Sequence, residues 1–249
     1  MSEHIKVARD GGVMLIALSR PDKKNALTAL MYDALISAFA QAGAEDSIGA
    51  VLIHGEGGAF TAGNDIADFL ATTKDLSDFR ALHFVRAIAS FDKPVVAAVD
   101  GVAIGVGCTM LFHCDLVYAS PAAQFRMPFV DLALVPEAGA SLLVPQRIGM
   151  AKASELLMLA DAFDAAQAKH LGIINDVVAA GQLLDFAREK SQRLAAKPRQ
   201  ALAATRKLIR GDRKELLARI DEEAQEFGRR MVSDEARQVF TAFMNRAKK

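Results

Sequence analysis

The run from Pro94 to Cys108, PVVAAVDGVAIGVGC, most constrains how this chain folds. Its first half is a short unbroken apolar segment with no polar alternate, the pattern of a buried strand. Its second half sets Gly101, Gly105 and Gly107 where a tight turn and then a helix begin. A strand without a solvent face needs other elements packed around it, so the chain has to build layers.

The flanking segments supply those layers. IKVAR and GVMLIALS, separated by Gly11-Gly12, read as a β-hairpin. LTALMYDALISAFAQA carries Leu27, Leu30, Met31, Ala34, Leu35, Ala38 and Phe39 on one helical stripe, with Thr28 as its cap. AVLIHGEG reads as another buried strand, and LSDFRALHFVRAIASF has helical spacing. From about Leu183 onward three or four helical segments follow. Strands alternating with helices predict an α/β core over 1–196 and a helical C-terminal region over 197–249, with Lys197-Pro198 as the hinge candidate.

Composition removes several function classes. The formal net charge is zero, which argues against a nucleic-acid binder that must neutralise phosphates. The charge is unevenly spread: Lys197 to Lys249 carries 14 Lys/Arg against 8 Asp/Glu, a basic tail suited to docking on another subunit or an anionic ligand. The start MSEHIKVARDGG has no apolar signal core and no apolar run is long enough to span a bilayer, so a cytoplasmic protein with no membrane partner is expected. Cys108 and Cys114 read as reduced core residues, and the five histidines have no metal-ligand spacing, so no metal is expected.

Three segments invite chemistry. GGAFTAGNDIADF, Gly57 to Phe69, is either an ordinary loop of turn formers or one that presents amides to a ligand. GVAIGVGCTMLFHCD, Gly101 to Asp115, places Gly105 and Gly107 around Val106 at a helix start, where unpaired amides point outward. It lacks the third glycine of a dinucleotide fingerprint, having Met110 there. In DLALVPEAGASLL, Glu137 stands alone between apolar segments, as a first-turn acid placed for the helix dipole or as a carboxyl kept from water.

These segments, together with RPDKKNALT, CDLVYAS, AQFRMPFVDLALVPEAGA and DAAQAKHLGIINDVV, occur in the order found in the crotonase, or enoyl-CoA hydratase/isomerase, superfamily, and the chain resembles it over essentially its whole length. The resemblance implies a spiral of β-β-α units whose C-terminal helices complete a neighbour's site, and a homotrimer or dimer of trimers. It implies stabilisation of a thioester enolate by two backbone amides, which match Asn64 and Val106. The two glutamates that hold water in the family's hydratases match Thr109 and Phe129 here, neither able to do acid–base work. Glu137, in VPEAG, looks like the base of one branch of the Δ3,Δ2-enoyl-CoA isomerases, with Asp131 in reserve.

For a coenzyme A thioester substrate, and no separate cofactor, the resemblance points to Arg20 and Lys24 near the ligand. It points to Ala62, Asp65 and Ile66 at the adenine, and to Phe243 and Arg246 on the last helix. Asp65 and Asp115 also read as loop-bracing acids, Asp68 as solvated, and His83 and Cys108 as packing residues. The segment from Leu70 to Phe84 is expected to set pocket depth. An isomerase is the leading expectation; a hydratase or other enolate-forming relative, and a catalytically silent acyl-CoA binder, are the competitors.

Overall fold

The computed structural model describes residues 2–71 and 79–246, apart from the side chains at 69–71 and 243–246. β1 (Ile5–Asp10) and β2 (Val13–Leu18) form the expected antiparallel hairpin. β3 (Ala50–Gly55), β4 (Val95–Val99), β6 (Leu116–Ala119) and β9 (Asp176–Val177) extend it in parallel, in the order β1-β2-β3-β4-β6-β9. A second sheet holds β5 (Val102–Ile104), β7 (Gln124–Arg126) and β8 (Phe163–Asp164). The chain steps repeatedly from the large sheet to the small one and then into a helix. Thus β4 leads to β5 and α4 (Val106–Thr109), and β6 leads to β7 and, after a 3-10 turn, α5 (Ala140–Ile148). This is the spiral of β-β-α units that the resemblance implied.

β4, at the centre of the large sheet, is wholly buried, as its unbroken apolar sequence requires. α1 (Ala29–Ala44) starts at Thr28, whose hydroxyl accepts the Met31 N–H at 3.3 Å. Of its expected stripe, Leu27, Met31, Leu35, Ala38 and Phe39 are buried, but Leu30 is 69% exposed and Tyr32 is buried instead. The reason is tertiary. α1 packs on both the sheet and α3 (Arg80–Ser90), so its buried face is wider than one stripe, and Tyr32 lies against Phe84 at 5.6 Å between ring centroids.

The remaining helices are α2 (Ile66–Ala71), α6 (Met150–Ser154), α7 (Ala165–His170), α8 (Ala180–Ala195), α9 (Arg199–Arg210), α10 (Arg213–Met231) and α11 (Asp234–Arg246). Lys197-Pro198 falls between α8 and α9. Ile220, Phe227, Met231, Ala236 and Phe240 of α10 and α11 join the same apolar core as the strands. Asp115 braces this region as expected: its carboxylate receives Arg206 at 2.9 Å, Arg210 at 2.9 Å and the Val95 N–H at 2.8 Å. Among the described residues no helix is long and apolar enough to cross a membrane.

Candidate active site

The site is built where the two sheets and α4 meet. Thr61 ties the first loop down. Its hydroxyl donates to the Asn25 carbonyl at 2.7 Å and accepts the Gly63 N–H at 3.1 Å, while its N–H donates to Val102 at 2.9 Å. Asn25, fully buried, accepts the Arg20 N–H at 2.6 Å and donates to the carbonyls of Glu56 and Ala59 at 2.9 and 2.7 Å. Leu27 N–H donates to Gly63 at 2.8 Å and Asp65 N–H to Leu27 at 2.9 Å, a parallel bridge in which the intervening Asn64 N–H faces away from Leu27.

Gly63 is required here. Its φ is +87°, and a Cβ would stand 2.7 Å from the Ile104 carbonyl oxygen. Across from it Gly105 (φ 55°, ψ −121°) turns the chain from β5 into α4, leaving Val106 as the first helical residue with no acceptor inside the helix. Among the described residues neither the Asn64 N–H nor the Val106 N–H has a hydrogen-bond acceptor. Both residues border one cleft of about 600 Å³, whose wall combines apolar side chains that include Ile66, Phe129, Leu134, Phe227 and Phe240 with the paired Arg126 and Asp131.

Glu137 lies beside this cleft and is 6% exposed. It does not form part of the cleft wall: its carboxylate receives the hydroxyl of Thr109, at the far end of the short helix that Val106 begins. Burial pushes its carboxyl from the ordinary 4.5 up to about 8; the Thr109 hydrogen bond works against this, and the charge of Glu223 adds to it. Tyr32 donates its hydroxyl to the Asn64 side-chain oxygen, and burial followed by the charges of Glu137 and Asp68 holds that phenol well above its ordinary range. One neutral donor and one proton-holding carboxyl therefore flank the Asn64 loop.

The other expected site residues divide. Ala62 and Ile66 line the cleft, and exposed Lys24 sits next to it because the Ala62 N–H donates to the Lys24 carbonyl at 2.9 Å. Arg20 and Asp65 are instead engaged with each other at 2.6 Å, and Asp65 also accepts the Ala67 N–H at 2.9 Å. Both side chains are thus mostly buried and paired, in keeping with the loop-bracing reading of Asp65. Asp68 is not simply solvated, since its carboxylate accepts the Ala29 N–H at 2.7 Å at the start of α1. Asp131 lines the cleft but is paired with Arg126 at 2.6 Å.

Cys108 is a buried packing residue, whereas His83 stands on the exposed side of α3 and is not one. The side chains of Phe243 and Arg246, and residues 72–78 of the segment expected to set pocket depth, lie outside the described residues. In the C-terminal helices, Phe227 of α10 and Val239, Phe240 and Ala242 of α11 line the cleft of their own chain.

Sequence reasoning missed four contributors. Thr109 was seen only as a lost acid, yet it is the direct partner of Glu137. Tyr32 was hidden by the single-stripe reading of α1. His113 and Glu223 meet the Glu137 turn from distant segments, with no local signal in either. Among the described residues no three His, Cys, Asp or Glu side chains gather as a metal site.

Comparison with known proteins agrees with this architecture. Residues 8–249 match the sequence model of the enoyl-CoA hydratase/isomerase family, and the chain belongs to that family. It is 31% identical over 255 residues to rat (Rattus norvegicus) enoyl-CoA delta isomerase 2, covering all of this chain and 65% of that protein. It is 30% identical over 251 residues to the 2,3-dehydroadipyl-CoA hydratase of Escherichia coli K12, covering 99% and 97% of the two chains. Among solved structures, Pseudomonas aeruginosa OdaA superposes with a TM-score of 0.91 at 41% identity, covering 98% of this chain and 99% of that one. The protein is therefore an enzyme of the enoyl-CoA hydratase/isomerase, or crotonase, family.

Proposed function

We propose that this enzyme moves the double bond of a 3-enoyl-CoA thioester to the 2-position, with Glu137 as the single proton carrier. The Asn64 and Val106 amides receive the thioester oxygen and stabilise the dienolate formed when a proton leaves C2. Each donor of this kind is typically worth about 3 kcal/mol in the transition state. The carboxylate of Glu137 takes the C2 proton, and the resulting acid returns it at C4. Because Thr109 holds the carboxyl off the cleft wall, the side chain rotates toward the acyl group to do so. Phe129 and the apolar residues beside it offer no second acid to activate water for addition to the conjugated product.

The observation that carries this reading is one buried carboxyl beside two unengaged amides, with no second acid at the positions of Thr109 and Phe129. A hydratase positions water between two acids; here one wall of that arrangement is a phenyl ring. The relatives named for isomerase and for hydratase chemistry are similar to about the same degree, so hydration is the second reading.

One assay separates them. Offered a 3-enoyl-CoA, the enzyme should generate the conjugated thioester, and offered a 2-enoyl-CoA it should leave conjugation intact. Loss of conjugation from the 2-enoyl-CoA would make it a hydratase. Binding without either change would leave an acyl-CoA binding protein.

A further inference from the structure

We propose that Glu223, a residue of helix α10, is a positioning residue for Glu137, fixing the turn that carries it, with His113 holding the same turn from the other side. The inference rests on the reading of Glu137 as the proton carrier.

The turn is unusual by itself. Ala138 and Gly139, directly after Glu137, both have left-handed backbone (φ 61° and 70°), and α5 then begins with no side-chain cap of its own. Two successive residues in that region hold their shape only when the surroundings fix them. Glu223 does so: one carboxylate oxygen accepts the Gly139 N–H at 2.6 Å and the other accepts the Ser141 N–H at 2.8 Å. A carboxylate on two amides at a helix start is favoured by the helix dipole as well as by the hydrogen bonds. α10 is pressed against the turn, since a Cβ on Gly139 would meet the Leu216 side chain at 2.4 Å.

On the opposite side the Ala138 carbonyl lies 2.7 Å from His113 Nε2. A carbonyl only accepts, so Nε2 carries the proton, and His113 Nδ1 is buried with no partner among the described residues. Burial lowers this imidazole to about 4, and Arg210, Arg147 and Arg206 on its far side add to that, so it remains neutral across the working range. The other ionisable groups near Glu137 are Tyr32 and Cys108, both pushed upward by burial and then by the charge of Glu137, and hence also neutral.

Glu223 is therefore the acid that faces Glu137; burial raises its own carboxyl, while the Ser141 and Gly139 hydrogen bonds and then Arg219 favour its carboxylate form. A buried negative charge beside a proton carrier disfavours the carrier's ionised form. Glu223 thus fixes the turn that positions Glu137 and adds to the proton affinity that burial raises.

The test uses the full-length protein with Glu223→Gln and Glu223→Ala. Gln keeps the shape and an acceptor but not the charge. It should lower the pH at which Glu137 titrates by about half a unit or more, while KM for a 3-enoyl-CoA stays within about twofold and most of kcat is retained. Ala should cut kcat about tenfold or more with KM again nearly unchanged.

Titration is read directly from the infrared band of the protonated Glu137 carboxyl, assigned by its loss in Glu137→Gln. If wild type fails to convert a 3-enoyl-CoA, the isomerase reading fails, and this titration still decides whether Glu223 acts on Glu137. An unmoved titration in Glu223→Gln, with thermal stability the only property affected, would overturn the proposal. Should the Ala protein not fold, the Gln titration alone decides.

Discussion

Replacing Glu137 by Gln should inactivate the enzyme and, above neutral pH, make it more stable. In the folded protein the carboxyl is pushed from 4.5 up to about 8, mainly by burial, whereas in the unfolded chain it titrates near its ordinary value. Between those limits the unfolded state binds fewer protons than the folded one, so stability falls as pH rises and levels off above about 8. At about 1.4 kcal/mol per pH unit, this costs wild type on the order of 5 kcal/mol by pH 9. Gln at 137 cannot ionise, and the Thr109 hydroxyl still finds an oxygen to bond.

The assay is urea unfolding of both proteins from pH 4 to pH 9. The difference in unfolding free energy should be flat at the acid end and then grow in favour of Glu137→Gln with rising pH. Every other titrating group is common to the pair, so the difference isolates residue 137. A difference independent of pH would refute the claim that a buried carboxyl releases its proton only near pH 8. At the same time kcat should fall between about 10²- and 10⁴-fold, the usual contribution of a positioned acid–base group.

Thr109→Val removes the hydrogen bond that favours the ionised carboxylate, so the midpoint of the kcat/KM profile should move above about 8, with a neutral-pH loss of roughly tenfold; pH-rate measurements check both. Gly63→Ala sets a Cβ 2.7 Å from the Ile104 carbonyl at a φ of +87°. It should destabilise the fold by about 1–3 kcal/mol and, by misaiming the Asn64 amide, cost about 10²-fold in kcat/KM; melting curves and kinetics separate the two effects. His113 is neutral in the folded protein down to about 4, so it opposes folding as the unfolded chain becomes protonated below its ordinary 6.5. Stability should fall through that window as pH drops, and His113→Gln should flatten the fall in urea titrations at pH 7 and 4.5.

What could be read from the sequence were features written locally. The apolar run at Val95, the Thr28 cap and the glycines at 63 and 105 each leave a mark within a few residues, because strand burial, capping and backbone reversal are local requirements. Contacts across the fold leave none. Glu223 is 84 residues from Gly139, and in α10 it looks like any acid on a charged helix. Arg20 reads only as a cation near the ligand because its partner Asp65 is 45 residues away. Leu30 and Tyr32 exchanged places because periodicity gives the direction of one buried face, whereas α3 creates a second. The side of the cleft covered by α10 and α11 likewise depends on how the C-terminal helices return, which composition does not encode.

The account stands on a single carboxyl, screened from water, serving both carbons. The most direct measurement uses a 3-enoyl-CoA deuterated at C2, incubated with the enzyme in ordinary water, with the product analysed for label at C4. Transfer by Glu137 predicts deuterium at C4 in a substantial share of the product, and loss of turnover in Glu137→Gln. Product with only solvent hydrogen at C4, formed as fast by Glu137→Gln as by wild type, would contradict it.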